Sequence, residues 1–156
     1  GFPPPPEAAD SPEPRSIESA FRPYGPGRKV VRPVAWAAAA VPAPDRGKPY
    51  RTEITGVELL PPGTLGSAGG SPGNFTGDGA EGYRRFYVRI SRGFRHQIRC
   101  HLSWIGYPIL NDGLYGEGKT GGGAAGKAEG SFLALTAVGL SFPDPRTGEK
   151  RDFFLS

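Results

Sequence analysis

Between Tyr83 and His101 the chain carries Arg84, Arg85, Arg89, Arg92, Arg95 and Arg99, together with His96 and His101, and no acidic residue. Cationic side chains at this density favour a polyanion, and a phosphate backbone is the usual partner of that kind. Within the stretch, Gly93 permits a tight turn. Arg95, His96, Gln97 and Arg99 then crowd one short segment, while Ile98, Leu102 and Ile105 recur at spacings of four and three. That period predicts a short amphipathic helix, ended by Gly106 as a C-terminal glycine would end it. Donors gathered at a helix start suit phosphate oxygens or a carboxylate. The apolar stripe fixes the helix to a core, so these donors are held in place.

Two other patterns invite chemistry and give less. Gly113 to Thr120 fits the phosphate-loop spacing G-x-x-x-x-G-K-[ST], ending in Lys119-Thr120. That loop works between a buried strand and a helix whose amides cradle the phosphates. The flanking TGGGAAGKAEG is a poor helix, and a flexible glycine loop is the better reading. His96, Cys100 and His101 supply too few ligands for a zinc centre, so no metal is expected. Cys100 reads as a small packed residue. The Asn74-Phe75-Thr76 sequon lies in a chain with no secretory signal and is read as chance.

The elements that must position the basic helix are mostly strands. Residues 1–14 are Pro-rich and read as a tail or linker. Arg28 to Ala40 reads as a strand, with Pro33 marking an edge position. Residues 41–49 turn the chain. Thr52 to Leu60 alternates as a half-buried strand. Residues 61–82 form a Gly/Ser/Pro loop with too few apolar side chains to order it. Arg84 to Ile90 is a strand with Phe86, Val88 and Ile90 on one face. Residues 116–130 form a second glycine-rich loop. Phe132 to Phe142 is a long apolar strand, and Arg151 to Leu155 returns as the last one. Strands dominate and one helix stands out, so the class is α+β, with a mostly antiparallel or mixed sheet and few helices.

Composition bounds the rest. The 156 residues suffice for one domain, and the net charge is +4. Gly (25) and Pro (18) exceed a quarter of the chain and concentrate in the tail and the two loops. A single cysteine allows no internal disulfide framework and fits a reducing, cytoplasmic setting. No apolar run is long enough to span a membrane. There is no methionine.

Residues 92–116, RGFRHQIRCHLSWIGYPILNDGLYG, resemble the C-terminal signature of the RluA-type RNA pseudouridine synthases. The signature reads approximately Gly-Arg-Thr-His-Gln-Ile-Arg-Val-His-Leu, then Ile-Gly-x-Pro-Ile-x-Gly-Asp-x-Leu-Tyr-Gly. In register with it stand Gly93, His96, Gln97, Ile98, Arg99, His101, Leu102, Ile105, Gly106, Pro108, Ile109, Asp112, Leu114, Tyr115 and Gly116. The ending FLALTAVGLSFPDPRTGEKRDFF is similar to the family's Leu-His-Ala-x-x-Leu-x-Phe-x-x-Pro-x-Thr-Gly. GKPYRTEITGVELL resembles an upstream family strand. The sequence departs from the pattern at Phe94-Arg95, Asn111 and Thr136.

The resemblance implies an isomerase that converts uridine to pseudouridine in structured ribosomal or transfer RNA, with no cofactor. It implies an Asp nucleophile, an Arg paired with that Asp, and an apolar floor under the base. Arg99 matches the Arg, and Leu135 is assigned to the floor. Arg84, Arg85, Arg89, Arg92, Arg95, His96 and Gln97 are expected to contact RNA, which must release the target base from its stack. The nucleophile's His-Arg-Leu-Asp motif does not occur in these residues. Residues 15–156 are therefore expected to form the later half of a larger catalytic domain, monomeric and inactive alone. The alternative is an RNA-binding module that has lost the chemistry.

Overall fold

The computed structural model describes residues 16–34, 48–61, 83–116 and 132–155. Seven elements of regular structure and one 3-10 turn run through them. They are β1 (Ser16–Tyr24), a 3-10 turn (Pro26–Arg28), β2 (Val30–Val34), β3 (Tyr50–Leu60), β4 (Tyr83–Arg89), α1 (Gln97–Trp104), β5 (Gly139–Pro143) and β6 (Lys150–Phe154). Four strands form an antiparallel sheet in the order β2-β1-β3-β4, and β5 pairs with β6 as a separate antiparallel hairpin. The class is α+β and mostly antiparallel, as the strand-rich pattern implies.

Period-two alternation decides which face is buried. On β1, Ile17, Ser19 and Phe21 point inward; on β3, Tyr50, Thr52 and Ile54 do. The register pairs Ile17 with Thr52 and Ser19 with Tyr50, so the inward sets share one face. A bulge between Ile54 and Gly56 shifts the pairing of β3 with β4. It keeps Val57, Phe86 and Val88 against the same core as Ile17 and Ile54.

Helix α1 lies against this face. Leu102 and Ile105 are buried with Ile17 and Ile54, and Ile98 packs partly against them. Cys100 enters a neighbouring cluster with Phe21, Val31, Tyr50 and Tyr115. Gly106 follows the helix with φ +88, where a Cβ is unfavourable. Both the helical stripe and its glycine stop are where the periodicity puts them.

The strands differ from expectation in three places. β1 was not foreseen: SIESAFRPY mixes charges and proline, and its value as a central strand lies in partners on both sides. Within the described residues the strand expected over Arg28 to Ala40 is β2 alone, Val30–Val34, and it does occupy an edge, as Pro33 suggests. The strand expected over Phe132 to Phe142 is regular only from Gly139. Before that, the Ala134 amide bonds to the Leu110 carbonyl and the Leu135 amide to Leu133. The backbone is thereby spent on a local bond and on one to the Leu110 segment rather than on a ladder. The Pro-rich tail, residues 35–47, 62–82 and 117–131, and hence most of both expected loops, lie outside the described residues.

Candidate functional site

The centre of the site is one ion pair. Arg99 donates from Nε to Asp112 Oδ2 at 2.9 Å and from Nη2 to Asp112 Oδ1 at 2.7 Å. The Asp112 side chain is fully buried, and the Arg99 side chain is 17 % exposed. The Leu114 and Tyr115 amides also donate to Asp112 Oδ1, at 2.9 and 3.0 Å. Burial by itself would raise the Asp112 carboxyl, but the Arg99 bond and the two amides outweigh it and hold it below the usual carboxylate value. The same bond raises the Arg99 guanidinium. Both groups are therefore charged throughout the physiological range. The Tyr115 ring lies under the guanidinium, 5.3 Å from Cζ to centroid.

Local sequence explains this cradle. Asn111 takes a left-handed backbone, φ +61, and turns the chain. The Gly116 amide then closes on the Asp112 carbonyl at 2.9 Å. A Cβ on Gly116 would stand 2.5 Å from that carbonyl oxygen, so only glycine fits there. The Asn-Asp-Gly-Leu-Tyr-Gly run thus wraps its own backbone around one carboxylate. It also answers the phosphate-loop reading. The amides of Leu114 and Tyr115, which a phosphate would need, already serve Asp112. Lys119 and Thr120 lie outside the described residues.

His96 begins the helix with φ +58, a strained value for a residue with a side chain. Its Nδ1 sits 3.2 Å from the Tyr115 hydroxyl, which also accepts the Val31 amide at 2.8 Å. Tyr115 thereby ties the helix start to β2. Partial burial, then Arg99 and Arg95, lower the His96 imidazole below its ordinary value, against a smaller opposing pull from Asp112. A neutral imidazole therefore stands beside the two arginines at pH 7.

The other residues assigned to RNA fall into distinct environments. Arg84 lies over the Tyr107 ring, 5.5 Å from its centroid. Arg85 pairs with Glu58 at 3.0 Å, and Tyr87 joins the same carboxylate. Arg89 is exposed at the end of β4. Arg92 packs 4.0 Å over the Tyr50 ring and donates to the Lys48 carbonyl. Arg95 donates to the Arg28 carbonyl. Gln97 is not a surface residue: it is 2 % exposed. Its Nε2 donates to the Arg51 carbonyl and Thr52 Oγ1, and its Oε1 accepts the Phe94 amide. It holds the helix to the sheet. Leu135 is 38 % exposed, next to the Ala134–Leu110 bond that brings its segment two residues from Asp112.

One buried cluster escaped the sequence reading. His101 is fully buried between Ser19, 2.8 Å from Nε2, and Thr52, 2.8 Å from Nδ1. Both ring nitrogens are occupied there. Cys100 Sγ turns instead to the Val31 carbonyl, and burial pushes its thiol up to about 12. His96, Cys100 and His101 therefore face three different surroundings. The signal in the sequence was the pair Ser19 and Thr52 on inward strand positions, recognisable only once β1 is known to be a strand.

The chain is 36 % identical over 77 residues to the ribosomal large subunit pseudouridine synthase D of Vibrio vulnificus, covering 46 % of this chain and 24 % of that protein. It is 38 % identical over 65 residues to YlyB of Bacillus subtilis, an uncharacterized RNA pseudouridine synthase, covering 42 % of this chain and 19 % of the relative. A further uncharacterized RNA pseudouridine synthase, from Synechocystis, is 58 % identical over 31 residues, 20 % of this chain and 11 % of the relative. The chain spans about a quarter or less of the length of these relatives. No protein-family model matches it. The matches bear out the resemblance to RluA-type RNA pseudouridine synthases.

Proposed function

We propose that this chain forms the Arg99-bearing part of an RNA pseudouridine synthase, acting on ribosomal or transfer RNA in the cytoplasm. The observation that carries the reading is Arg99 itself: a guanidinium clamped by a buried carboxylate, beside a basic helix start, at the position the synthase signature gives to the nucleophile's partner. In the isomerisation the N1–C1′ bond of uridine breaks, the uracil turns, a C5–C1′ bond forms, the C5 proton leaves and N1 takes up a proton. A carboxylate attacks the nucleoside, and Arg99 keeps that carboxylate ionised and oriented. The attacking Asp comes from a segment other than these residues, none of which carries the His-Arg-Leu-Asp motif. Arg89, Arg92, Arg95 and His96 contact RNA phosphates, and Leu135 packs under the base. The assembly works as a monomer and needs no cofactor.

The absence of that motif favours a second reading, a binding module without chemistry. Tritium release from RNA labelled at uracil C5 separates the two. The full-length product of the gene should release tritium, and its Arg99→Lys variant should lose most of the rate. The 156-residue chain should bind RNA in a salt-dependent way without releasing label. A full-length protein that binds cellular RNA yet releases no tritium from any of it sinks the enzyme reading in favour of the module.

A further inference from the structure

A guanidinium has five N–H donors in a rigid plane. Asp112 takes two of them, Nε–H and one on Nη2. Among the described residues no other side chain bonds to Arg99, and its side chain is not sealed from solvent. Three donors therefore remain, and two of them, one on Nη1 and one on Nη2, form the end-on edge, which matches a carboxylate or phosphate bidentately.

The carboxylate that sets this orientation is itself immobile. Its four bonds come from Arg99 and from the Leu114 and Tyr115 amides. Its side chain is fully buried, so no water competes for them. Tyr115 continues the support: its amide fixes Asp112, its ring underlies Arg99, and its hydroxyl meets His96 and the Val31 amide. An arginine held this way loses little further freedom when a second oxyanion arrives. A mere turn-forming Asp would need the two amide bonds only; the side-on clamp on Arg99 is additional.

We propose that Asp112 is a positioning residue, which clamps Arg99 side-on so that the end-on edge of the guanidinium is presented to a second oxyanion. The identity of that oxyanion as the attacking carboxylate rests on the synthase reading above; the presented edge does not.

Asp112→Asn tests the clamp, because Asn Oδ1 still accepts the Leu114 and Tyr115 amides while its NH2 group faces Arg99 Nε–H. In the full-length gene product this change should lower kcat for tritium release about 100-fold, the scale of a misplaced reacting group. KM for RNA should change by no more than about twofold. Adding Arg99→Lys should cost little more, since both changes abolish one alignment. A variant with reduced thermal stability and unchanged kcat would make Asp112 a turn-former only and overturn the proposal.

A second arm uses the 156-residue chain and acetate. In the wild-type chain the Arg99 Nε–H NMR signal should exchange slowly, and its Nη signals should shift on acetate addition; the Asn variant should show neither effect. An Nε–H that exchanges as fast as that of exposed Arg89 overturns the proposal. The wild-type arm decides alone if the variant fails to fold. Should the full-length protein be inactive while the chain behaves as expected, the synthase reading fails and the clamp stands.

Discussion

Single residues in this molecule carry charge states that only their surroundings explain. His101 sits between Ser19 and Thr52 with both nitrogens occupied, and burial lowers its imidazole to about 4. In the unfolded chain the same group protonates near 6.5. The unfolded state therefore binds more protons as pH falls between these values, and stability falls with it. The full contribution is present above about pH 6.5 and is lost as pH drops to about 4, a change of about 3 kcal/mol. His96, also lowered, adds to the same slope. Urea unfolding at pH 7.5 and 4.5 should show the decline, and His101→Gln should remove most of it while being less stable at neutral pH. A wild-type stability that is flat across this window would contradict the buried neutral imidazole. The Asp112 carboxyl acts in a separate range: its value is depressed, so its contribution is lost only at more acid pH, below the usual carboxylate value.

At the level of elements, the four-stranded sheet with α1 and the β5–β6 hairpin are built differently. Strands β1 and β3 bury one face under the helix. The hairpin aligns Leu140 with Phe153, and Phe142 stacks on Phe153 at 5.8 Å, yet every residue of both strands is exposed. Two strands without a covered face are marginal in water. In the 156-residue chain the amides of β5 and β6 should therefore exchange with solvent orders of magnitude faster than the paired amides of β3 and α1. Hydrogen exchange read by NMR checks this; equal protection would show that the hairpin's apolar face is covered in solution. The helix stop makes a second case. Gly106 has φ +88 with nothing within 4 Å of a built Cβ, so Gly106→Ala meets strain without a clash. It should cost about 1 kcal/mol in thermal unfolding, with the fold intact.

Across the whole molecule, the basic density read from the sequence is partly spent inside the fold. Arg99 serves Asp112, Arg85 serves Glu58, and Arg95 a backbone carbonyl. If the chain binds RNA as proposed, fewer arginines than the sequence counts should meet phosphates, and salt dependence measures the difference. Removing a charge that meets a phosphate reduces the slope of log K against log salt by about 0.7 to 0.9. Arg89→Gln at the exposed end of β4 should do so by about one such step, measured by fluorescence anisotropy on a structured RNA. Arg85→Gln, already neutralised by Glu58, should change it far less. Equal effects at the two positions would show that RNA displaces the Glu58 pair.

The sequence determined the class of structure and the local frame of the candidate site. Alternation in TEITGVELL, the Ile98-Leu102-Ile105 stripe and Gly106 are local patterns, and local geometry reads them directly. The Asp112 cradle within the Gly93–Gly116 signature is likewise local: Asn111 turns, Gly116 admits a carbonyl, and the Leu114 and Tyr115 amides reach back to Asp112. Residue types alone did not reveal which donors face outward. Gln97 looked like an RNA contact and is a buried strut, since the helix rotation that hides it is set by packing on β3. His101, counted with His96 and Cys100 as too few ligands for zinc, has no structural role that its neighbours in sequence reveal. It is held by Ser19 and Thr52, which lie 82 and 49 residues away in the chain. Strand β1, with its charges and proline, has no strong pattern of its own and becomes a strand through β2 and β3 on either side. Contacts between residues distant in sequence decide these points, because burial and partner geometry come from the packed sheet and not from the order of residues along it.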